Sequence, residues 1–391
     1  MRFAYILLTL LLTPIYGLYW LFRGLVNRSY WHKIGQRFGF GYPKLIDSCI
    51  WIHAVSVGEV QAAEPLVHKL KERYPKFHIL ITTVTPTGAE RVKLLFGDSV
   101  HHSYIPFEAP YGIKKFFNMI NPNIALIMET EIWPNLYNEC GHRNIPLVLV
   151  SARVSEKSLK NYKQFLPLFR ETLSHGILIA AQSDKDAQRF RELGAAMERT
   201  YVTGNIKFDM KFSEDLISKG KNFKSKFFHD RPVWVAASTH HREEQEILVA
   251  HKKICMKFPD ALLILIPRHP ERFELVENIL RNENISYFTR TQGLKICPSD
   301  AEVFLVNTMG EVKLFFSVCD VAFVGGTLTP VGGHNLLEPA ALGRPIITGP
   351  HVFNTSEIAN LLESSGALVM VKEASELANA IEDFLRNPDM A

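Results

Sequence analysis

Two short strings in the first half of this 391-residue chain put acidic side chains where chemistry could use them. HAVSVGE, from His53 to Glu59, has Ser56 and Gly58 suited to a tight turn from a strand into a helix, so Glu59 falls in the first helical turn. Two readings of Glu59 stand: a carboxylate that complements the helix dipole, or a general base near the mouth of a cleft. METEIWPN, from Met128 to Asn135, places Glu129 and Glu131 two apart, on one side of the chain if a strand continues through them. Such a pair could hold a metal, share a proton or orient a base, and the plain alternative is two solvated loop acids. No His or Cys accompanies them at ligand spacing, which disfavours metal. Arg153, in SAR, could grip a phosphate or carboxylate with two hydrogen bonds. Lys207, in GNIKFD, falls where the first half hands over to the second, a place where lysines are ordinarily solvated.

The second half carries denser signals. In ASTHHREEQ, Ser238 and Thr239 read as caps of a helix whose first turn holds Glu243 and Glu244. PRHPERF puts Arg268 and His269 directly after an apolar run, and TMGE (Thr308 to Glu311, with Met309 and Gly310) follows another. The most specific string is VGGTLTPVGGHNLLEPAALGRPIITGP, Val324 to Pro350. Its glycine pairs, the second being Gly332 and Gly333, precede His334 and Asn335 and then a helix, a composition suited to cradling phosphate, although it has neither GxGxxG nor Walker spacing. Asn335 and Glu338, three apart, are expected on one helical face, able to grip a ribose diol together.

These residues need elements to hold them. Short runs rich in Val and Ile, starting at Cys49, Ile79, Ile124, Leu147 and Ile177, alternate with amphipathic stretches, and the second half repeats this at Val233, Ala261, Val303, Val321, Pro345 and Ala367. Such alternation predicts parallel sheets with helices on both faces, and the length calls for two doubly wound α/β domains. Ligands of open sheets of this kind bind beyond the C-terminal strand ends. The charged segment 204–232 reads as a linker with one helix. The expected organisation is 1–24 as an anchor, 25–205 and 233–391 as the two domains, and 206–232 as the linker. Residues 3–22 hold no charge, and Arg23, Arg28, Lys33 and Arg37 follow, so an uncleaved anchor with the body on the cytoplasmic side is expected. Pro14 and Gly17 interrupt the helical pattern, leaving both a full span and a helix lying in one leaflet open. Net charge is +4, but residues 25–205 hold 22 Lys and Arg against 16 Asp and Glu, whereas 206–391 hold 20 against 24. The basic half adjoins the anchor, where anionic headgroups or a phosphorylated acceptor would meet it. Five scattered cysteines (Cys49, Cys140, Cys255, Cys297 and Cys319) suggest neither a disulfide framework nor a zinc cluster.

Taken together, HAVSVGE, ETEIWP, SARVSEKS, GNIKFD, ASTHHREEQ, PRHPERF, TMGE and GGHNLLEP resemble, in order and approximate spacing, the Kdo transferases of lipopolysaccharide assembly. That resemblance implies the two-Rossmann GT-B fold and inverting transfer of Kdo (3-deoxy-D-manno-octulosonic acid) from CMP-Kdo to a lipid A precursor, lipid IVA. It places the catalytic base on Glu59, a second acidic position on Glu129, with Glu131 in the same motif, and a transition-state lysine on Lys207. It places CMP on Arg268, His269, Met309, Gly310, Glu311 and the stretch Asn335, Leu336, Leu337 and Glu338. Ser56, Gly58, Arg153, Ser238, Thr239, Gly333 and His334 are further candidates. No metal cofactor and no nucleic-acid partner are expected; the expected partners are the donor, the acceptor and lipids of the cytoplasmic leaflet of the bacterial inner membrane. A UDP-sugar transferase or epimerase, and a tethered nucleotide-binding module without turnover, are the alternatives.

Overall fold

The computed structural model describes residues 1–391 except 46–47, 211, 230 and 293–297, so Cys297 lies outside the described residues. The chain divides into two compact units, Met1–Asp209 and Met210–Ala391. Each is built on a seven-stranded sheet in which every described pairing is parallel.

In the N-terminal unit the strands are β1 (Cys49–His53), β2 (His78–Thr83), β3 (His101–Tyr104), β4 (Ile124–Met128), β5 (Leu147–Ala152), β6 (Leu178–Ala181) and β7 (Thr200–Val202), in the spatial order β3-β2-β1-β4-β5-β6-β7. Side chains of a strand alternate between faces, and both faces here are apolar. Trp51, Leu80, Ile127 and Leu149 enter one buried cluster, whereas Ile50, Ile52, Ile81 and Leu126 enter the other. The C-terminal unit repeats the plan with β8 (Val233–Thr239), β9 (Leu262–Pro267), β10 (Tyr287–Thr289), β11 (Val303–Leu305), β12 (Val321–Val324), β13 (Ile346–Thr348) and β14 (Leu368–Met370), ordered β10-β11-β9-β8-β12-β13-β14. Val233, Val235, Leu262 and Ile264 pack to one side, and Trp234, Ala236, Leu263 and Leu265 to the other.

Strand order reverses between β1 and β4 in the first sheet and between β8 and β12 in the second. At such a switch point the connecting segments leave in opposite directions and open a crevice beyond the strand ends. HAVSVGE follows β1 and METEIWPN follows β4; ASTHHREEQ ends β8 and the glycine string follows β12.

Several expectations need correction. Three strands, β3, β7 and β10, carry no strong apolar run. Helix α1 runs unbroken from Arg2 to Val26 with Pro14 inside it. The helix Glu214–Phe223 in the segment read as a linker belongs to the C-terminal unit: Phe223, Phe227 and Phe228 join its core, and Lys224 Nζ lies 2.6 Å from Asp320. Ser238 and Thr239 end β8 and cap nothing, because the next helix starts at Glu243 behind Arg242, whose φ is +75°. Asn335 precedes the short helix Leu337–Ala341, so it shares no helical face with Glu338.

Candidate active site

Glu59 is the third residue of helix α2 (Val57–Arg73), which starts immediately beyond β1. Ser56 caps it: Ser56 Oγ accepts from the Glu59 amide at 3.4 Å and donates to Glu59 Oε1 at 2.9 Å. The Val55 amide donates to Oε2 at 2.9 Å. This is a variant of the reciprocal cap that a Ser and a Glu three residues apart allow, with the Glu reaching the Ser hydroxyl and the amide before it. The carboxylate is nonetheless only 9% exposed. Burial raises its pKa to about 7 against the pull of those two hydrogen bonds, and the charges of Glu131 and Glu129 add to the rise. A carboxyl group that changes protonation near neutrality is suited to take a proton from a hydroxyl.

Across the switch point, β4 ends at Met128 and Glu129 turns out of it with φ of +55°, so the continuing strand imagined for Glu129 and Glu131 does not exist. The turn sends the Glu129 carboxylate to Lys207, with Nζ 2.7 Å from Oε1. Lys207 stands on the one-turn helix Ile206–Asp209, which packs against α2. Its placement is tied down twice, by the Lys207 amide donating to Asn205 Oδ1 at 3.0 Å and the Ile206 amide donating to Ser151 Oγ at 3.2 Å. Ser151, at the end of β5, has φ of +53° and receives Gln182 Nε2 as well. Glu131 faces elsewhere: it accepts from Trp133 Nε1 at 2.8 Å, and burial raises its pKa against that bond, with Glu129 adding to the rise. Glu131 lines a cavity of about 330 Å³ with Thr130, Trp133, Arg153, Ser158 and Tyr162. Arg153 therefore opens onto a polar pocket beside the paired acids, and the Thr130 hydroxyl donates to its carbonyl at 2.6 Å.

His53 opens HAVSVGE at the end of β1. Buried under the loop, it lies 2.9 Å from Thr82 Oγ1, its pKa is pushed down to about 4 by burial, and its ring meets Trp133 edge to face at 5.4 Å. It is a neutral prop for the loop that carries Glu131.

In the C-terminal unit the centre of the switch point is Glu243. Its fully buried carboxylate accepts amide hydrogens from His240, Gly326, Thr327 and Leu328 at 2.7 to 2.9 Å. The amides of Gly332 and Gly333 reach back to the Gly326 carbonyl. Much of the donor capacity that the glycine string seemed to offer a phosphate is thus engaged inside the fold. The run Asn335–Glu338 lies just beyond these engaged amides, with the Leu337 amide bound to Asn335 Oδ1 at 3.1 Å. Gly325 packs so tightly on the end of β8 that a Cβ there would come 2.6 Å from the Ser238 carbonyl oxygen. Close by, His240 and His334 face each other with their Nε2 atoms 2.8 Å apart, and His269 meets the His240 ring at 5.4 Å. Burial lowers the His334 pKa to about 4, helped by His240, Arg268 and His269. Arg268 and His269 follow β9 on the exposed rim, as do Met309 and Gly310 beyond β11. Glu311 is tied to Arg290 by contacts of 2.8 and 3.1 Å and to the Thr308 hydroxyl; burial would raise its pKa, but these partners outweigh it and hold it below the usual range. His240 and Arg290 escaped the sequence reading, although His240 lay in a string already singled out. No cluster of three or more His, Cys, Asp or Glu that could hold a metal occurs among the described residues.

Comparison with known proteins finds matches for both units. Residues 32–210 match the family described as 3-Deoxy-D-manno-octulosonic-acid transferase (kdotransferase), and residues 242–391 match Glycosyl transferases group 1. The chain is 40% identical to the 3-deoxy-D-manno-octulosonic acid transferase of Haemophilus influenzae over 99% of its own length and 91% of that protein. It is 33% identical to the enzyme of the same name from Bordetella pertussis, covering 90% and 83%. Among solved structures, the UDP-GlcNAc 2-epimerase of Neisseria meningitidis shares the fold, with a TM-score of 0.57 at 13% identity over 88% of this chain and 92% of that one.

Proposed function

Because the chain belongs to the Kdo transferase family, and is therefore a glycosyltransferase, we propose that it moves Kdo from CMP-Kdo to the lipid A precursor lipid IVA, inverting the anomeric carbon. Breaking the bond from the anomeric carbon to CMP leaves an oxocarbenium-like centre and a departing nucleotide phosphate. Catalysis then calls for a base on the acceptor hydroxyl and for positive charge where the phosphate leaves. Glu59 takes the proton. Its burial and its pKa of about 7 are the observation that carries this reading, since a mere helix cap gains nothing from being hard to ionise. Lys207, steered by Glu129, supplies the cation. Arg268, His269, the loop Met309–Glu311 and the run Asn335–Glu338 hold CMP, and a single phosphate leaving group needs no metal.

The acceptor is a lipid. Helix α1 is long and apolar enough to meet a membrane, and the basic surplus of residues 25–205 favours the anionic cytoplasmic leaflet of the inner membrane. The deciding experiment incubates lipid IVA with CMP-Kdo and the protein and reads the product by mass spectrometry. A mass increase of one or more Kdo units is expected. No increase with CMP-Kdo under conditions where the protein binds CMP would reject the donor and acceptor pairing.

A further inference from the structure

Helix α1 is docked along its whole length on the N-terminal unit. At its start Arg2 bonds Asn138 and lies 3.3 Å from Glu171, and Tyr5 donates to Glu108. One turn on, Asn135 Nδ2 reaches Thr9 Oγ1 at 3.5 Å. Farther along, Tyr16 stacks on Phe107 with ring centres 4.2 Å apart, and Gly17 lies against Phe38. At the far end Trp20 covers the Arg37 guanidinium at 3.5 Å, and Trp31 packs against Gly24. The covered positions 2, 5, 9, 13, 16, 20 and 24 recur every three or four residues, as one stripe of a helix must. The rest of the helix is bare and apolar: Phe3, Leu7, Leu11, Leu18, Phe22 and Leu25 are each about half exposed or more.

We propose that α1 lies in the plane of one leaflet, between the body and the acyl chains, and does not cross the bilayer. A spanning α1 that kept its contacts would pull Glu108, Asn138 and Glu171 to membrane depth. A spanning α1 that gave them up would bare Arg37 and Glu108, both buried under it, and carry the Tyr5 hydroxyl into hydrocarbon without its partner Glu108. Pro14 supplies no amide to the carbonyl four residues earlier, which in a spanning helix would lie near the bilayer midplane, far from water. An in-plane helix meets none of these costs. Its surroundings fit anionic headgroups: Arg23 and Arg28 are exposed at its C-terminal end, and Lys115 rests over the exposed rings of Phe40 and Tyr111, at 3.7 and 4.5 Å, Phe40 lying two residues past the Phe38 that meets Gly17. Basic and aromatic residues around an apolar stripe are what an interfacial helix requires.

The placement also bears on the site. Glu108 accepts from the amides of Asn135 and Leu136 at 2.6 and 3.1 Å, so it caps helix Pro134–His142, the element that ends METEIWPN. Through Tyr5, Thr9 and Arg2 the membrane helix grips that same element. The proposal rests on the membrane reading above but not on the identity of donor or acceptor, and neither of its tests uses turnover. In the first, the full-length protein with an N-terminal epitope tag is protease-treated in right-side-out and inverted membrane vesicles. Tag and body should be cleaved in the same vesicle population; a tag cleaved only from the face opposite the body overturns the in-plane helix. In the second, the variant Leu7→Glu/Leu11→Glu/Leu18→Glu is compared with the parent for binding to phosphatidylglycerol vesicles, with circular dichroism and thermal unfolding of the full chain as the check that the N-terminal unit is folded. Binding should weaken on the order of tenfold or more. Unchanged binding by a variant that unfolds like the parent would show that this face does not meet lipid.

Discussion

Glu59 is a carboxylate in surroundings that resist its charge, and this sets two measurable signs. Its folded pKa of about 7 lies above the ordinary 4.5. Below about pH 7 the group is protonated and cannot accept the acceptor's proton, so kcat/KM should rise about tenfold per pH unit up to that point and then level. Glu59→Gln should lose that limb and about 10²-fold to 10⁴-fold in rate while binding CMP nearly as well as the parent. Stability runs the other way: a raised acid pKa favours the fold while the group is neutral, and the cost of ionising it inside grows from the unfolded pKa up through about pH 7, reaching at most about 3 kcal/mol. The Gln variant should therefore lose less stability than the parent between pH 5 and pH 8, as thermal unfolding at the two values would read. A parent with no acidic limb near neutrality would remove Glu59 from the role of base. Glu129 and Lys207 call for a different measurement, because a positioning carboxylate and the lysine it steers act as one unit. Glu129→Gln and Lys207→Met should each lower kcat, and the double variant should be little worse than the poorer single one. Losses that multiply would mean that Glu129 acts on the substrate independently of Lys207.

At the scale of elements, both candidate regions depend on what happens just past a strand end. Glu243 holds the loop after β12 to the end of β8 through four backbone amides. Glu243→Ala should destabilise the C-terminal unit by about 3 to 5 kcal/mol, because it leaves buried donors unmatched, and should weaken CMP binding with it. Denaturant melts of parent and variant test this, and a loss below 1 kcal/mol would mean that the loop is held by something else. The same element-level view explains what could be read from the chain alone. The ten strands inside the two sheets announce themselves as Val- and Ile-rich runs because a parallel strand buried on both faces has no polar side to interrupt the run, and the edge strand β14 is apolar as well. β3 (HHSY), β7 (TYV) and β10 (YFT) lie at sheet edges, where one flank lacks a partner strand and short, mixed sequences suffice. Glu59 was legible because capping chemistry has a fixed spacing. The Glu129 to Lys207 pair was not, since 78 residues separate them and only the positive φ at Glu129 and the turn pinned by Ser151 bring them together. Ser238 and Thr239 misled for a related reason: their types and spacing fit a cap, but β8 runs on through them, and Glu243 accepts the His240 amide just beyond the strand.

At the scale of the whole molecule, the proposed chemistry is divided between two units that each carry a full complement of core. Trp234, Phe304, Phe315, Phe323 and the β8, β9 and β12 side chains are buried within residues 210–391 alone, and the helix Glu214–Phe223 completes that core by laying Phe223 beside Phe315. A domain of this size with sheet faces covered on both sides has enough buried apolar surface to fold independently. Every residue proposed to hold CMP, from Arg268 to Glu338, lies in it, while Glu59, Glu129 and Lys207 all lie in the other unit. Residues 210–391 produced alone should therefore unfold in one cooperative transition and bind CMP within a few-fold of the full chain, yet transfer nothing. Starting the fragment at 233, where the sequence pattern suggested that the domain begins, should cost stability, because it removes Phe223, Phe227 and Phe228 from the core and Lys224 from Asp320. Glu338→Ala in the longer fragment should weaken CMP by about 1.5 to 3 kcal/mol, the worth of charge-assisted hydrogen bonds to a ribose. Titration calorimetry on the three fragments separates the possibilities. Full-length affinity that the 210–391 fragment fails to approach, despite a cooperative melt, would mean that the N-terminal unit contributes contacts to the nucleotide and that the proposed division of labour is wrong.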